Sequence, residues 1–424
     1  MIDSSYKPPH GSPLVRRFCL LERTAEARGL AHHLRNGSSQ IFVEQRMTTR
    51  PRSRETKLRA FRAFGLVSLA VISIAISGCQ KNSPSENGPV DTRFNYRDPY
   101  PWPVSSPASK NLDTLKINAA LQEVRSYSFF WSLLVVKNDT LVVEYYRSPL
   151  NKENDYEIHS AAKSFTSALL GIAIDKGIIR SSQERVLGFF PDLDTVGIDP
   201  RKRSWTLEHF LTMQSGIDWD ETADHSAIFP DNVNWMYTAL KLPLRVNPGE
   251  RFIYTTPNVN VLSGILTRAT GMPTYDFAEQ NLFTPLKISV RDWMKDPQRI
   301  FIGGTGMMFT PRDLARLGQL YLHNGNIDGK QILSRQWIQQ TLVPRLPANR
   351  TWSDLQTVNY GYLWWNNYDS RDSLFMAAGF AGQFIFVVPS KDMVIVTIGD
   401  DNVTTEQASL NENVLIGILK KYLF

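Results

Sequence analysis

Cysteine is almost missing from this chain: Cys19 and Cys79 are the only two among 424 residues. Two thiols cannot build a disulfide framework or a four-cysteine metal centre. Histidine is also sparse. The four in residues 79–424 (His159, His209, His225 and His323) are scattered, and no H-E-x-x-H occurs. No metal site and no cofactor are expected. No G-x-S-x-G elbow and no G-x-x-x-x-G-K-[ST] loop is present. The glycines of "FIGGTGMMF" do not follow the G-x-G-x-x-G spacing and read as loop flexibility. Basic charge is absent where a nucleic-acid partner would need it. Residues 1–78 hold 13 Lys+Arg and 5 Asp+Glu, a net +8; the remainder has 47 − 13 = 34 basic and 41 − 5 = 36 acidic residues, a net −2. The one basic triplet of that remainder, Arg201-Lys202-Arg203, lacks interleaved aromatics and reads as a solvated loop. Nucleic acid is thus not an expected partner.

Long apolar runs are missing too. The longest near the front, Phe64 to Ile76, spans about 13 residues, short of the roughly 20 that a spanning helix needs. It follows a basic stretch from Arg50 to Arg62 and precedes "SGC". That order is a secretory signal over residues 47–78. "ISGC" resembles the bacterial lipobox, which implies cleavage before Cys79 and a lipid anchor on it. The alternative is an uncleaved N-terminal anchor. Met47 stands where such a signal begins, so residues 1–46 read as an upstream extension from a mis-called start. After cleavage only Cys79 would remain, leaving no disulfide. Residues 79–103 are rich in Pro, Ser and Asn and read as a flexible tether. Gln80 after the cysteine resembles outer-membrane sorting, which places the domain in the periplasm-facing envelope.

The folded part spans residues 104–424. Asp113 is a good N-cap, with Ile117, Leu121 and Val124 on one helical face. "WSLLVVKNDTLVVEYY" places two β-branched runs around Asn138-Asp139, a hairpin. Thr310 and Pro311 open a helix with Leu314, Leu317 and Tyr321 turned inward. "GQFIFVVPSKDMVIVTIGD" predicts a second hairpin turning near Ser390-Lys391, and a helix closes the chain. Strands at both ends with helices between them predict an α+β fold. In it an antiparallel sheet carries flanking helices and a mainly helical subdomain.

The chemistry lies in "EIHSAAKSFTSALLGIAIDKG", Glu157 to Gly177. Ser160 and Lys163 are three apart and share a helix face. Ser160 sits at the helix start, where the dipole favours negative charge on its oxygen. Lys163 lies one turn in, beside Phe165, Leu169 and Ile172. Burial and the helix's positive end both oppose its ammonium form, so it can act as a base toward Ser160. A surface serine with a snorkelling lysine is the bland alternative. His159 points about 100° away on such a helix and reads as local packing. Asp218, Asp220 and Glu221 read as a polar loop with caps, and Trp235, Trp364 and Trp365 as core.

"SAAKSFTSALLGIAIDKG" resembles the active-site helix of the serine β-lactamase and penicillin-binding protein superfamily. The likeness is to the class C-related esterases, amidases and 6-aminohexanoate-dimer hydrolases. "WTLEHFLTMQSGIDWDE", "NPGERFIYTTPNVNVLSGIL", "GGTGMMFTPRDLARLGQLYLHNG" and "AAGFAGQFIFVVP" follow in the family's order. The resemblance implies acylation of Ser160 and proton transfer shared by Lys163 and Tyr254. It also implies an oxyanion hole from the backbone N–H groups of Ser160 and Phe380. Thr256, Gly379 and Gln383 fall at substrate-binding positions.

Two departures narrow the substrate. Ala377 and Ala378 replace the lysine and threonine of the family's K-T-G strand, and Thr256 replaces the asparagine of Y-x-N. A β-lactam carboxylate would find neither cation nor hydroxyl on that strand. A small ester or amide is the expected substrate. A D-alanyl-D-alanine peptidase or β-lactamase, and an inactive binding or sensor lipoprotein, stand as alternatives.

Overall fold

Asp113 caps the first helix as its sequence predicts: its carboxylate accepts hydrogen bonds from the backbone N–H groups of Leu115 and Lys116. This helix, α1 (Thr114–Ser126), buries Ile117, Ala120 and Val124. The computed structural model describes residues 94–221, 230, 232–352, 355–368 and 373–424. Cys79, the signal segment and the first part of the tether lie outside the described residues. The further helices that position the site are α2 (Ala162–Asp175), α3 (Trp235–Lys241), α4 (Thr256–Thr270), α5 (Pro311–Leu322) and α6 (Thr405–Tyr422). Among the described residues no helix is long and apolar enough to cross a membrane.

The strands of the main sheet are β1 (Phe130–Lys137), β2 (Thr140–Tyr146), β3 (Pro347–Trp352), β4 (Leu355–Tyr360), β5 (Trp365–Asn367), β6 (Leu374–Gly379), β7 (Gln383–Val388) and β8 (Met393–Gly399). They pair antiparallel in the order β2-β1-β8-β7-β6-β5-β4-β3. The hairpin between β1 and β2 turns on Asn138 and Asp139, with φ of 49° and 56°, the left-handed pair a two-residue turn demands. β1 joins the C-terminal hairpin through β8, with Val135 opposite Ile395. An N-terminal and a C-terminal strand of the domain therefore pair in one sheet, as the pattern of strands predicts. Every residue of β7 and β8 is buried, which requires cover on both faces of the sheet. On one of them α5 comes close: a Cβ on Gly318 would lie 2.5 Å from Val394.

The helical part is built around α2. Every residue from Ala162 to Ala173 is buried, so apart from Lys163 the helix is apolar or small all round because protein surrounds it. Its small polar side chains pin neighbouring loops. Ser164 Oγ donates to the Leu363 carbonyl and Thr166 Oγ1 to the Gly303 carbonyl, each at 2.8 Å.

Two expectations need correction. The tether does not run free to residue 103. Phe94 and Trp102 are buried, Asn95 N–H donates to the Tyr275 hydroxyl at 2.8 Å, and Arg97 N–H to Ser289 Oγ at 2.9 Å. Arg97 also reaches the Ile288 carbonyl at 3.0 Å and the Glu279 carboxylate. Pro103 and Ser105 then bond the backbone of Leu141. The fold thus starts at or before Phe94. A chain cut to begin at Val104 loses two buried aromatic anchors and an ion pair. We expect its thermal midpoint, followed by circular dichroism, to fall by about 5–10 °C.

Lys202 is likewise no solvated loop residue. It is 1% exposed, while Arg201 and Arg203 beside it are exposed. Its ammonium donates to the Leu240 carbonyl at 2.9 Å and to the Leu242 carbonyl, at the end of α3, and lies over the Trp205 ring. Helix ends leave carbonyls without intrahelical partners, and this lysine supplies one. Burial lowers its pKa to about 8. Lys202→Met keeps the stem but strands both carbonyls. It is expected to cost about 1–3 kcal/mol in urea denaturation, with no loss of specific activity in the folded fraction.

Candidate active site

The nucleophile candidate stands where a tight turn feeds α2. The turn His159–Ala161 precedes the helix, so the Ser160 N–H belongs to the first helical turn, whose amides have no intrahelical acceptor. Ser160 is half-buried, with its Oγ 2.8 Å from Lys163 Nζ. Lys163 is 1% exposed. Its second partner is the Gly304 carbonyl, also at 2.8 Å. The nitrogen lies 5.1 Å from the centre of the Tyr254 ring. Burial pushes the Lys163 pKa down to about 8, against the opposing pull of Glu221.

Tyr254 arrives from just before α4. Its ring stacks on Trp365 at 5.8 Å and meets Tyr360 edge-on at 6.1 Å. Trp365 and Tyr360 are themselves buried, so the ring stands against a fixed aromatic wall. Trp235 and Trp364 are buried core, as expected.

The loop 302–306 holds Lys163 from below. Gly304 N–H donates to Asn260 Oδ1 at 3.1 Å, and Thr305 Oγ1 and Gly306 N–H donate to Glu157 Oε1 at 2.9 and 3.1 Å. Its glycines are packing requirements rather than a source of flexibility. A Cβ on Gly303 would lie 2.5 Å from the Val259 carbonyl oxygen, and one on Gly304 2.7 Å from Thr256 Cγ2.

Other assigned residues have different work from that expected. A Cβ on Gly379 would sit 2.2 Å from the Ile158 carbonyl oxygen. The glycine leaves room for the turn before Ser160. Gln383 is 1% exposed, and its amide pairs with Gly399 in both directions at 3.1 Å. That pairing fixes the ends of β7 and β8 together, so its side chain is not presented to a ligand. Thr256 donates both its N–H and its hydroxyl to the Glu221 carboxylate. Glu221 also accepts from Trp219 Nε1 at 2.7 Å. It caps α4 and bears electrostatically on Lys163, a second role the sequence reading missed. Asp218 pairs instead with Arg245.

Phe380 follows the end of β6, in the turn Phe380–Gly382 that α6 braces: Glu412 accepts from Ala381 N–H at 3.0 Å and from Trp352 Nε1 at 2.9 Å. The close approach of Gly379 to Ile158 sets this turn beside the one that carries Ser160. Among the described residues no group of three or more His, Cys, Asp or Glu side chains could hold a metal ion.

A buried, depressed-pKa lysine on a serine at a helix start, backed by a tyrosine, sits in a chain whose residues 131–417 match the beta-lactamase family model. The chain belongs to the beta-lactamase family. It is 25% identical over 318 residues to a 6-aminohexanoate-dimer hydrolase of Paenarthrobacter ureafaciens, covering 68% of this chain and 77% of that one. Among solved structures it is similar to a hydrolase with promiscuous acyltransferase activity, with TM-score 0.58, 14% identity and coverage of 73% and 99% of the two chains. It is also similar to a penicillin-binding protein homologue from Caulobacter crescentus, with TM-score 0.53, 16% identity and coverage of 71% and 97%. These structural likenesses share the α+β fold of a sheet with flanking helices. This beta-lactamase-family serine hydrolase holds Ser160 and Lys163 at the start of α2 and Tyr254 just before α4.

Proposed function

We propose that this protein hydrolyses a small ester or amide through an acyl-enzyme on Ser160. The observation that carries the reading is the 2.8 Å contact between Ser160 Oγ and Lys163 Nζ, in a setting that holds the lysine pKa at about 8. Near neutral pH about a tenth of Lys163 is then free amine. In that form it accepts the hydroxyl proton as Oγ bonds to the substrate carbonyl carbon. The carbonyl oxygen takes the negative charge and turns toward the N–H groups of Ser160 and Phe380. The C–O or C–N bond to the leaving group then breaks. The leaving alkoxide or amine takes a proton from the Lys163–Tyr254 pair. Water next attacks the acyl ester, its proton passing to the same pair, and releases the acid and Ser160.

Ala377 and Ala378 support an ester or small amide over a β-lactam, because neither can pair with a carboxylate. Both are buried in β6. A panel of p-nitrophenyl esters, short linear amides, penicillin and a D-alanyl-D-alanine peptide tests the choice. Ester or amide turnover with no penicillin trapping is expected. Cleavage of the peptide with slow penicillin acylation would move the assignment to a cell-wall peptidase. The lipid anchor on Cys79 belongs to the same proposal and rests on the signal-like sequence. Palmitate labelling of cells expressing the full chain, lost in Cys79→Ser, is the expected result.

A further inference from the structure

His159 occupies a backbone conformation that residues with a Cβ rarely take. Its φ is +46°, in the left-handed region where glycine would sit without strain. A histidine held there needs contacts that offset the strain, and each of its contacts leads to a different wall of the site. Nε2 lies 3.0 Å from Asp401 Oδ2, just past the end of β8. Nδ1 lies 3.6 Å from Glu157 Oε1, the same oxygen that grips Thr305 and Gly306. The ring meets Phe380 edge-on, with centroids 5.5 Å apart at 71°. One imidazole, next in sequence to Ser160, therefore connects the nucleophile turn, the loop that holds Lys163 and the turn that offers the second oxyanion N–H.

We propose that the Glu157–His159–Asp401 chain is a positioning device that holds Ser160 Oγ in register with Lys163 and with the Phe380 N–H. The inference rests on the acyl-enzyme reading, since His159 acts only through Ser160. Three charged groups face the ring: Glu157 on the approaching strand, Asp401 beyond β8 and Lys163 on α2. Burial alone would lower the imidazole pKa, but the two carboxylates outweigh it and Lys163, and the net shift is upward. The charged ring suits a bridge between two carboxylates. Local packing, the role expected from sequence, explains the Phe380 contact but not the two acids.

The test compares wild type with His159→Gly, Asp401→Asn and the double variant, on the best ester of the panel and with a fluorophosphonate. His159→Gly removes the ring and relaxes the backbone, so its melting temperature should hold. We expect kcat and the labelling rate to fall about ten- to hundredfold in each single variant, the scale set by small misplacements of reacting groups. KM should stay within about threefold. The double variant should be no slower than His159→Gly, because one broken bridge cannot be broken twice. Added imidazole should restore part of the His159→Gly rate. Rates within about twofold of wild type in both singles, or additive losses in the double, would overturn the proposal. Should His159→Gly fail to fold, the Asp401→Asn rate decides alone: unchanged, it overturns the proposal. Wild type that labels while the variants label at the wild-type rate sinks only this inference. Wild type that does not label sinks the acyl-enzyme reading beneath it.

Discussion

Ser160→Ala is expected to remove ester turnover almost completely, with kcat/KM falling on the order of 10⁴-fold or more. The reason is chemical rather than structural. Ser160 is half-buried and its side chain bonds Lys163. In the alanine variant Lys163 keeps the Gly304 carbonyl as a partner, and α2 keeps its packing. The melting temperature should therefore stay within about 2 °C of wild type. Intact activity in Ser160→Ala would mean that another group performs the chemistry. A matching loss of fold and activity would leave the serine's role unproved, so both are measured on one preparation.

Lys163→Met should slow acylation of Ser160 by about 10²- to 10⁴-fold, the contribution of a positioned base. Lys163→Arg should be as poor, because a guanidinium stays protonated and cannot accept the hydroxyl proton. The pH profile gives the sharper reading. With its pKa at about 8, Lys163 is mostly ammonium below that pH and mostly amine above it. The wild-type acylation rate should rise about tenfold per pH unit below 8 and level off above it. That slope should vanish in Lys163→Met. The same shift has a stability consequence whose sign is fixed. The folded pKa lies below the ordinary 10.5, so between pH 8 and 10.5 the unfolded chain binds the proton more strongly. Folding stability from this group rises with pH through that window and is lost again as pH falls to 8. Lys202, also lowered to about 8, adds a contribution of the same sign. Lys163→Met should therefore reduce the rise rather than abolish it.

The parts of the site that could be read from sequence are those whose partners lie close along the chain. Ser160 and Lys163 are three residues apart in a run that only a buried helix explains, and the helix is there. The two hairpins and the Thr310 cap carried their own turn and capping residues, and they formed as expected. Thr310 Oγ1 accepts the Asp313 N–H that starts α5. What sequence did not disclose are contacts across long separations. Gly304 accepts from Lys163 over 141 residues, and His159 meets Asp401 over 242. No periodicity or spacing encodes such a pair. Lys202 shows the same limit differently. A basic triplet looks solvated on charge alone, yet the middle residue turns inward to the carbonyls of a helix end. The resemblance put Gln383 and Gly379 at substrate-binding positions; in the fold Gly379 makes room for the turn before Ser160, and Gln383 ties the ends of β7 and β8 together. Glu221 was legible only as part of a polar loop, because both its hold on Thr256, 35 residues away, and its bearing on Lys163 are tertiary.

Acylation of Ser160 is tested most directly by the intact mass of the protein after exposure to a fluorophosphonate. The measurement should be made on a soluble chain that begins before Phe94, so that the docked segment stays whole. One adduct is expected on wild type, carried by the peptide containing Ser160, absent from Ser160→Ala and slow to form in Lys163→Met. Folded wild type that takes no adduct, or an adduct that persists in Ser160→Ala, would contradict that expectation.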